Sequence, residues 1–442
     1  MLLIKNGTLV NAGEEPTVTD VLIKEQKVEK IGKDLEKGLS AEELKNLEII
    51  EAKGLHVLPG LVDAHCHLRD PGFEYKEDIA SGTKSAVQGG FTSVACMPNT
   101  SPVVDNKTIV RYIVDKAKAE GACHVYPIGS ITKGLEGAEL AEMGNMKEAG
   151  IVAVSDDGKP VKNPSIMKKA MIYASEFGLR VISHCEDLDL AEGGSMNEGE
   201  ISGRLGLRGI PSASEDLMVS REVILAEYTG FPVHIAHVST KASVEILRQA
   251  KKRKVPVTAE TCPHYFSLTE DACADYDTNA KMNPPLRGEE DRLAVIEGLK
   301  DGTLDIIATD HAPHHRDEKL VEFENAPNGI VGFETAFSLS VTYLVETGIL
   351  TISQLVEKLA SKPAEILGIG SRTLKGQASE GRGALKEGGP ADVTLADLSK
   401  TWTVDVNRFA SKSKNSPFND MELKGQILYT LVDGKVVYKA MA

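Results

Sequence analysis

Apolar residues recur through the middle of the chain in short unbroken runs, each closed by polar or ionisable residues and followed by a stretch of helical spacing. Eight such runs occur, at 56–68, 91–99, 123–132, 151–158, 180–187, 232–239, 255–264 and 303–314. Between them, segments such as 105–121, 164–178 and 212–230 place apolar residues three and four apart, which predicts helices. Continuous β-branched strands alternating with helices predict a parallel sheet covered on its outside. Eight repeats predict a (β/α)8 TIM-type barrel. An open doubly wound sheet would bring a glycine-rich phosphate loop after its first strand, and this chain has none there.

The two ends follow a different rhythm. Residues 1–54 and 383–442 read as short alternating strands with Gly and Asp turns, including the hairpin signal VDGKVV at 432–437. They predict one small β-sandwich domain built from both chain ends, beside a barrel domain at 55–370. The Gly- and Ser-rich stretch 371–382 is the expected linker. Residues 351–369 predict a helix, a break at Pro363 and a second short helix that closes the barrel.

Composition narrows the function classes. A chain of 442 residues exceeds what one core usually holds, in keeping with a large and a small domain. Fifty Lys and Arg against 65 Asp and Glu give a net charge of −15, which argues against nucleic acid or an anionic membrane as partner. The basic run KKRK at 251–254 follows a helical pattern and reads as a solvated helix end. A secretory start and any 18-residue apolar run are lacking, so a cytoplasmic protein is expected. Cysteines 66, 96, 123, 185, 262 and 273 form no CxxC pair and predict buried free thiols.

The placement of ionisable residues is the informative part. His65 and His67 stand two apart in an extended run, so both imidazoles share a face and can reach one ion. His184, His237 and Asp310 close the fifth, sixth and eighth runs, on the same rim of a barrel. Buried structural histidines would scatter along the strands, each with its own partner. Four imidazoles and a carboxylate gathered on one rim predict divalent-ion ligands, zinc by preference, and are too many for one ion that also holds water. Two ions about 3.5–4 Å apart would use them all, with a bridge from Asp156 or Asp157 at the end of the fourth run. His56, His124 and His234 begin their strands and read as structural or solvated; His264, His311 and His315 receive no role.

At this point the chain resembles the amidohydrolase superfamily, and within it the class I dihydroorotases. The matching motifs span nearly the whole chain: NGTLVN (6–11), PGLVDAHCHLRDPG (59–72), MPNT (97–100), SDDG (155–158), SHCE (183–186), AHVST (236–240), KMNPPLR (281–287), ATDHAPHHRDEK (308–319) and GGPADVTLADL (388–398). The resemblance implies two zinc ions, with His65, His67 and Asp310 on one and His184 and His237 on the other. It makes Asp157 the bridge, where much of the superfamily uses a carboxylated lysine; Lys159, beside Pro160, reads as a loop residue.

The implied chemistry is cyclic-amide hydrolysis by a hydroxide held between the ions, with Asp310 as general base and acid, reversible as ring closure. Dihydroorotate differs from the substrates of related amidases by a ring carboxylate, which calls for an arginine fork. Arg69 follows His67 on the same face and Asn99 ends the second run. The resemblance assigns His67, Arg69, Asn99 and His314 to substrate, places Asn283 near the ring, and gives the backbone of Asn328 and Gly329 to the ring amide. It implies interconversion of dihydroorotate and carbamoyl aspartate in pyrimidine biosynthesis and a homodimer, and it leaves open a complex with aspartate transcarbamoylase. The alternatives are a hydantoinase-, dihydropyrimidinase- or allantoinase-like amidase, and an inactive scaffold for aspartate transcarbamoylase. Such scaffolds lose metal ligands, and every expected position is filled here.

Overall fold

The computed structural model describes residues 1–370 and 380–441; positions 371–379 of the expected linker lie outside them. Eight parallel strands in chain order form the barrel: Leu61–Cys66, Phe91–Cys96, His124–Gly129, Ala153–Ser155, Arg180–Ser183, Val233–Ile235, Val257–Thr261 and Ile306–Ile307. The eighth closes on the first through Asp310 N–H to the His65 carbonyl (3.0 Å) and His67 N–H to the His311 carbonyl (2.9 Å). The first two strands are buried along their whole length, including Asp63 and His65 on the first and Thr92 and Ser93 on the second.

The predicted helices form at Lys107–Glu120, Pro164–Glu176 and Ala213–Thr229. Their starts are written locally. Asn106 and Asn163 each accept from two backbone N–H groups of the first turn, and Pro164 opens its helix where no N–H is needed. The basic run ends helix Lys241–Lys252, where Lys251 meets Asp305 (2.6 Å) and Arg253 meets Glu227 (3.2 Å), as a solvated helix end should.

Two readings of the pattern change. The run 56–68 is two strands: His56–Pro59 joins the sheet of the chain ends, and only Leu61–Cys66 enters the barrel. Gly60 makes the switch. A Cβ there would stand 2.1 Å from the Thr92 hydroxyl, so only glycine lets the first strand cross this close to its neighbour. The break expected at Pro363 is absent. Helix Ile352–Val356 continues through a π-helical turn, Glu357–Ser361, into helix Lys362–Leu367. The wider turn absorbs the missing N–H of proline. Burial holds it helical: Ala364, Ile366, Leu367 and Ile369 pack against Val62, Ala95, Ile128, Ile182 and Ile306 and plug the barrel interior from below the site.

The chain ends form one eight-stranded mixed sheet, with Val393–Thr403 pairing with both His56–Pro59 and Glu422–Val432. Leu2, Ile4, Val21, Ile50, Val57, Val393 and Leu431 enclose a core of its own. The hairpin turn falls on Asp433 and Gly434, both at positive φ (48° and 75°), as the sequence predicts. All six cysteines are free and buried. Among the described residues, no helix is long and apolar enough to cross a membrane.

Gly60→Ala should cost about 1–3 kcal/mol by overpacking Thr92. Chemical denaturation would show this as a lowered midpoint, and an unchanged midpoint would contradict the switch role.

Candidate active site

The strand ends bring the nominated metal ligands together at the C-terminal rim, all of them buried. The Asp157 carboxylate lies among four imidazoles with one oxygen toward each pair. Its Oδ1 is 3.3 Å from His237 Nε2 and 3.5 Å from His184 Nδ1; its Oδ2 is 3.4 Å from His65 Nε2 and 3.6 Å from His67 Nε2. Asp310 Oδ1 stands 3.1 Å from His67 Nε2 and 3.5 Å from His65 Nε2. His65, His67 and Asp157 form one group able to hold an ion, and Asp157, His184 and His237 form another, so the two share Asp157.

The donor set fits divalent cations. His65 Nε2 is buried without a hydrogen-bond partner although it faces both carboxylates, and His184 Nδ1 and His237 Nε2 lie only 2.9 Å apart. Asp156, the other candidate, is spent elsewhere: it accepts from the N–H groups of Ile131 (2.8 Å) and Thr132 (3.0 Å) and from the Thr132 hydroxyl. Lys159 is exposed on the loop.

Electrostatics follow from burial against charge. Burial raises the Asp157 carboxyl, but His65, His184 and His237 outweigh it and hold the group well below its ordinary range. Burial lowers His184, and Asp157 and Glu186 reverse this and raise it to about 10. His237 and Asp310 have φ of 35° and 45°, and Arg69 has 61°; left-handed backbone at these three side-chain-bearing positions is local strain at the rim.

Three of the four rings are oriented from behind, while His237 Nδ1 is buried without a hydrogen-bond partner. His67 Nδ1–H donates to Asn99 Oδ1 (2.9 Å), and His184 Nε2–H donates to Glu186 (3.1 Å), which also accepts from Asn283 (3.1 Å). His65 Nδ1–H donates to Glu260 Oε1 at 2.6 Å. Glu260 takes a second bond from His234 Nε2–H (3.0 Å), whose Nδ1 accepts from Thr258 (2.9 Å). Glu260 and Glu186 escape a sequence reading. Glu260 left one signal, an acid inside an apolar strand, which burial tolerates only with partners. His234, read as structural or solvated, is fully buried and belongs to this chain of bonds.

Beside the ligands lies a cavity of about 250 Å³, lined by His67, Arg69, Asn99, Asn283, His314, Asn328 and Gly329 together with Asp157, His184, His237 and Asp310. His65 sits behind this lining. The acids nearest Arg69 in sequence are occupied: Asp70 holds Lys116 (2.8 Å) and Tyr112 (3.0 Å), and Glu77 accepts from Ser81 and Ser411, while Glu318 pairs with Lys76 (3.0 Å). Arg69 Nε–H donates to the Pro313 carbonyl (3.1 Å), and among the described residues Arg69 forms no ion pair. Burial lowers its guanidinium to about 10. His314 Nε2–H donates to the Asn328 carbonyl (2.8 Å) and its Nδ1 accepts from Lys76 (3.3 Å); burial, then Arg69 and Lys76, keep it neutral. Gly329 spends its N–H on the Lys281 carbonyl (2.9 Å), and its φ of 149° lets the backbone pass His314.

Residues 54–243 match the family model described as Dihydro-orotase-like. Across 439 residues the chain is 59% identical to a dihydroorotase of Acetivibrio thermocellus and 57% identical to one of Geobacter metallireducens, covering 99% of this chain and 99% of the relative each time. The chain belongs to the dihydroorotase family. Solved structures of the same architecture include an L-hydantoinase from Arthrobacter aurescens (TM-score 0.87, 25% identity, 99% of this chain and 96% of that one). A dihydropyrimidinase from Brevibacillus agri has TM-score 0.84 at 24% identity, covering 99% of this chain and 95% of that one. This member of the dihydroorotase family thus shares its fold with the hydantoinases and its sequence, end to end, with dihydroorotases.

In this dihydroorotase-family site the Glu260 carboxylate fixes the His65 tautomer that leaves Nε2 free for an ion. Glu260→Ala should lower divalent-metal affinity about 10- to 100-fold. Equilibrium dialysis against a competing chelator measures it; wild-type affinity would show that Glu260 does not orient His65.

Proposed function

We propose that the chain is a zinc-dependent dihydroorotase that interconverts dihydroorotate and carbamoyl aspartate in pyrimidine biosynthesis. The observation that carries the reading is Arg69, half-buried beside the ligand cluster with no ion pair of its own among the described residues. A cation partly withdrawn from water is costly without a counter-charge, and an anionic substrate would bring one. The ring carboxylate of dihydroorotate fits that need, whereas hydantoin and dihydrouracil carry none.

In this reading His65, His67 and Asp310 hold one zinc, His184 and His237 hold the other, and Asp157 serves both. When bound, zinc lowers the pKa of water and polarises a carbonyl, which is the chemistry that opening a ring amide requires. The chain's residues do the rest. Arg69, His314 and Asn99 bind the carboxylate and so fix the ring in the cavity. Asn283 and the Asn328–Gly329 backbone border the ring amide. Asp310 Oδ1, within reach of the centre, accepts a proton and delivers it to the departing ring nitrogen. A filled ligand set supports an active enzyme over a scaffold, and assembly as a homodimer or with aspartate transcarbamoylase is compatible with the same reading.

The test is turnover in both directions by the zinc-loaded protein, with dihydroorotate, carbamoyl aspartate, hydantoin and dihydrouracil in parallel. Turnover of dihydroorotate and carbamoyl aspartate alone is the expected result; preference for hydantoin or dihydrouracil would defeat the reading. Asp310→Asn should keep the fold by circular dichroism and lose about 10²–10⁴-fold in kcat. Arg69→Ala should raise KM for dihydroorotate far more than it alters binding of carboxylate-free amides, and equal losses for both would assign Arg69 a structural role.

A further inference from the structure

Between strands Val393–Thr403 and Glu422–Val432 the chain passes over loops that follow the first and eighth barrel strands. Asn415, buried at 3% exposure, is its inward point. Its Nδ2 donates to the carbonyls of Ala312 (3.1 Å) and Gly329 (2.9 Å), and its Oδ1 accepts from the His314 N–H (3.1 Å). Both amide protons are therefore used, and they join two separate loops that line the substrate cavity.

The junction is tight. A Cβ on Gly329 would stand 2.5 Å from the Ala312 oxygen and 2.9 Å from the His314 ring, so the two loops have no slack. Two buried carbonyls share one donor group, and without it both lose their partner and their dipoles repel. The same segment also grips the loop after the first strand: Ser413 donates to the Lys76 carbonyl (2.8 Å), and the Lys76 ammonium meets His314 Nδ1 (3.3 Å). The metal half of the site has its own supports in Glu260, Asn99 and Glu186, and Asn415 bonds none of them.

We propose that Asn415 is a positioning residue for carboxylate recognition, through which a segment outside the barrel sets His314 and Gly329 against Arg69 and so fixes selectivity for a carboxylated ring. The proposal rests on the dihydroorotase reading for the identity of that ring. The test uses full-length, zinc-loaded Asn415→Ala and Asn415→Asp. Orotate, carboxylated, and dihydrouracil, the ring without the carboxylate, serve as binding probes by calorimetry and competition, with KM and kcat for dihydroorotate.

Orotate affinity and 1/KM should fall about tenfold or more, while kcat, dihydrouracil affinity and zinc content change less than about twofold. Parallel loss of both probes, loss of zinc, or no change would overturn the proposal. If the Asn415 variants do not fold, Ser413→Ala must show the same selective loss at about two- to threefold, and an unselective or absent effect there overturns it equally. Failure of the wild-type protein to turn over dihydroorotate would refute the functional reading instead, while probe selectivity, read without turnover, would still report on Asn415.

Discussion

One carboxylate shared between two pairs of imidazoles organises this molecule. Asp157 offers one oxygen to His184 and His237 and the other to His65 and His67, in a position 3% exposed to solvent. Such a concentration of ligand atoms is unstable as an isolated cluster, because each buried polar atom must find a partner and each buried charge a counter-charge. The architecture meets that demand by taking these residues from five different strand ends around a closed barrel. Only closure, made by backbone bonds between the eighth strand and the first, brings Asp310 beside residues 243 and 245 positions earlier in the chain.

The environment is polarised into two halves. On the ligand side, Glu260, Glu186 and Asn99 accept hydrogen bonds from the outward ring nitrogens of His65, His184 and His67, which fixes tautomers and turns the inner nitrogens to the centre. On the other side, Arg69 and a neutral His314 line the cavity in a protein of net charge −15, while Lys76 behind them is paired with Glu318 (3.0 Å). An anion entering there would move from a repelling surface into a local attraction.

Rigidity is supplied from below and from the side. The helical segment from Ile352 to Leu367 packs Ala364, Ile366 and Leu367 against apolar side chains of the barrel strands. The sheet of the two chain ends carries the segment that reaches back to the rim, so residues far outside the barrel hold the loops that would grip a substrate.

Much of this was legible in the residues. The eight apolar runs, the capped helices, the Asp-Gly hairpin and the rim position of His65, His67, His184, His237 and Asp310 follow from periodicity and local turn chemistry, which act over a few residues. Gly60 as a switch between sheets, and the π-helical passage over Pro363, were not legible, because neighbours from distant strands decide both. Spacing left Asp156 and Asp157 equivalent and only the family resemblance preferred Asp157; in the structure the N–H groups of Ile131 and Thr132 engage Asp156. Sequence by itself determined the barrel, the ligand types and the arginine, since strand period and side-chain chemistry are local properties. Tertiary structure decided which groups meet, through Glu260 and His234 behind the ligands and Asn415 behind the substrate loops, because a hydrogen bond depends on positions in space that no spacing along the chain records.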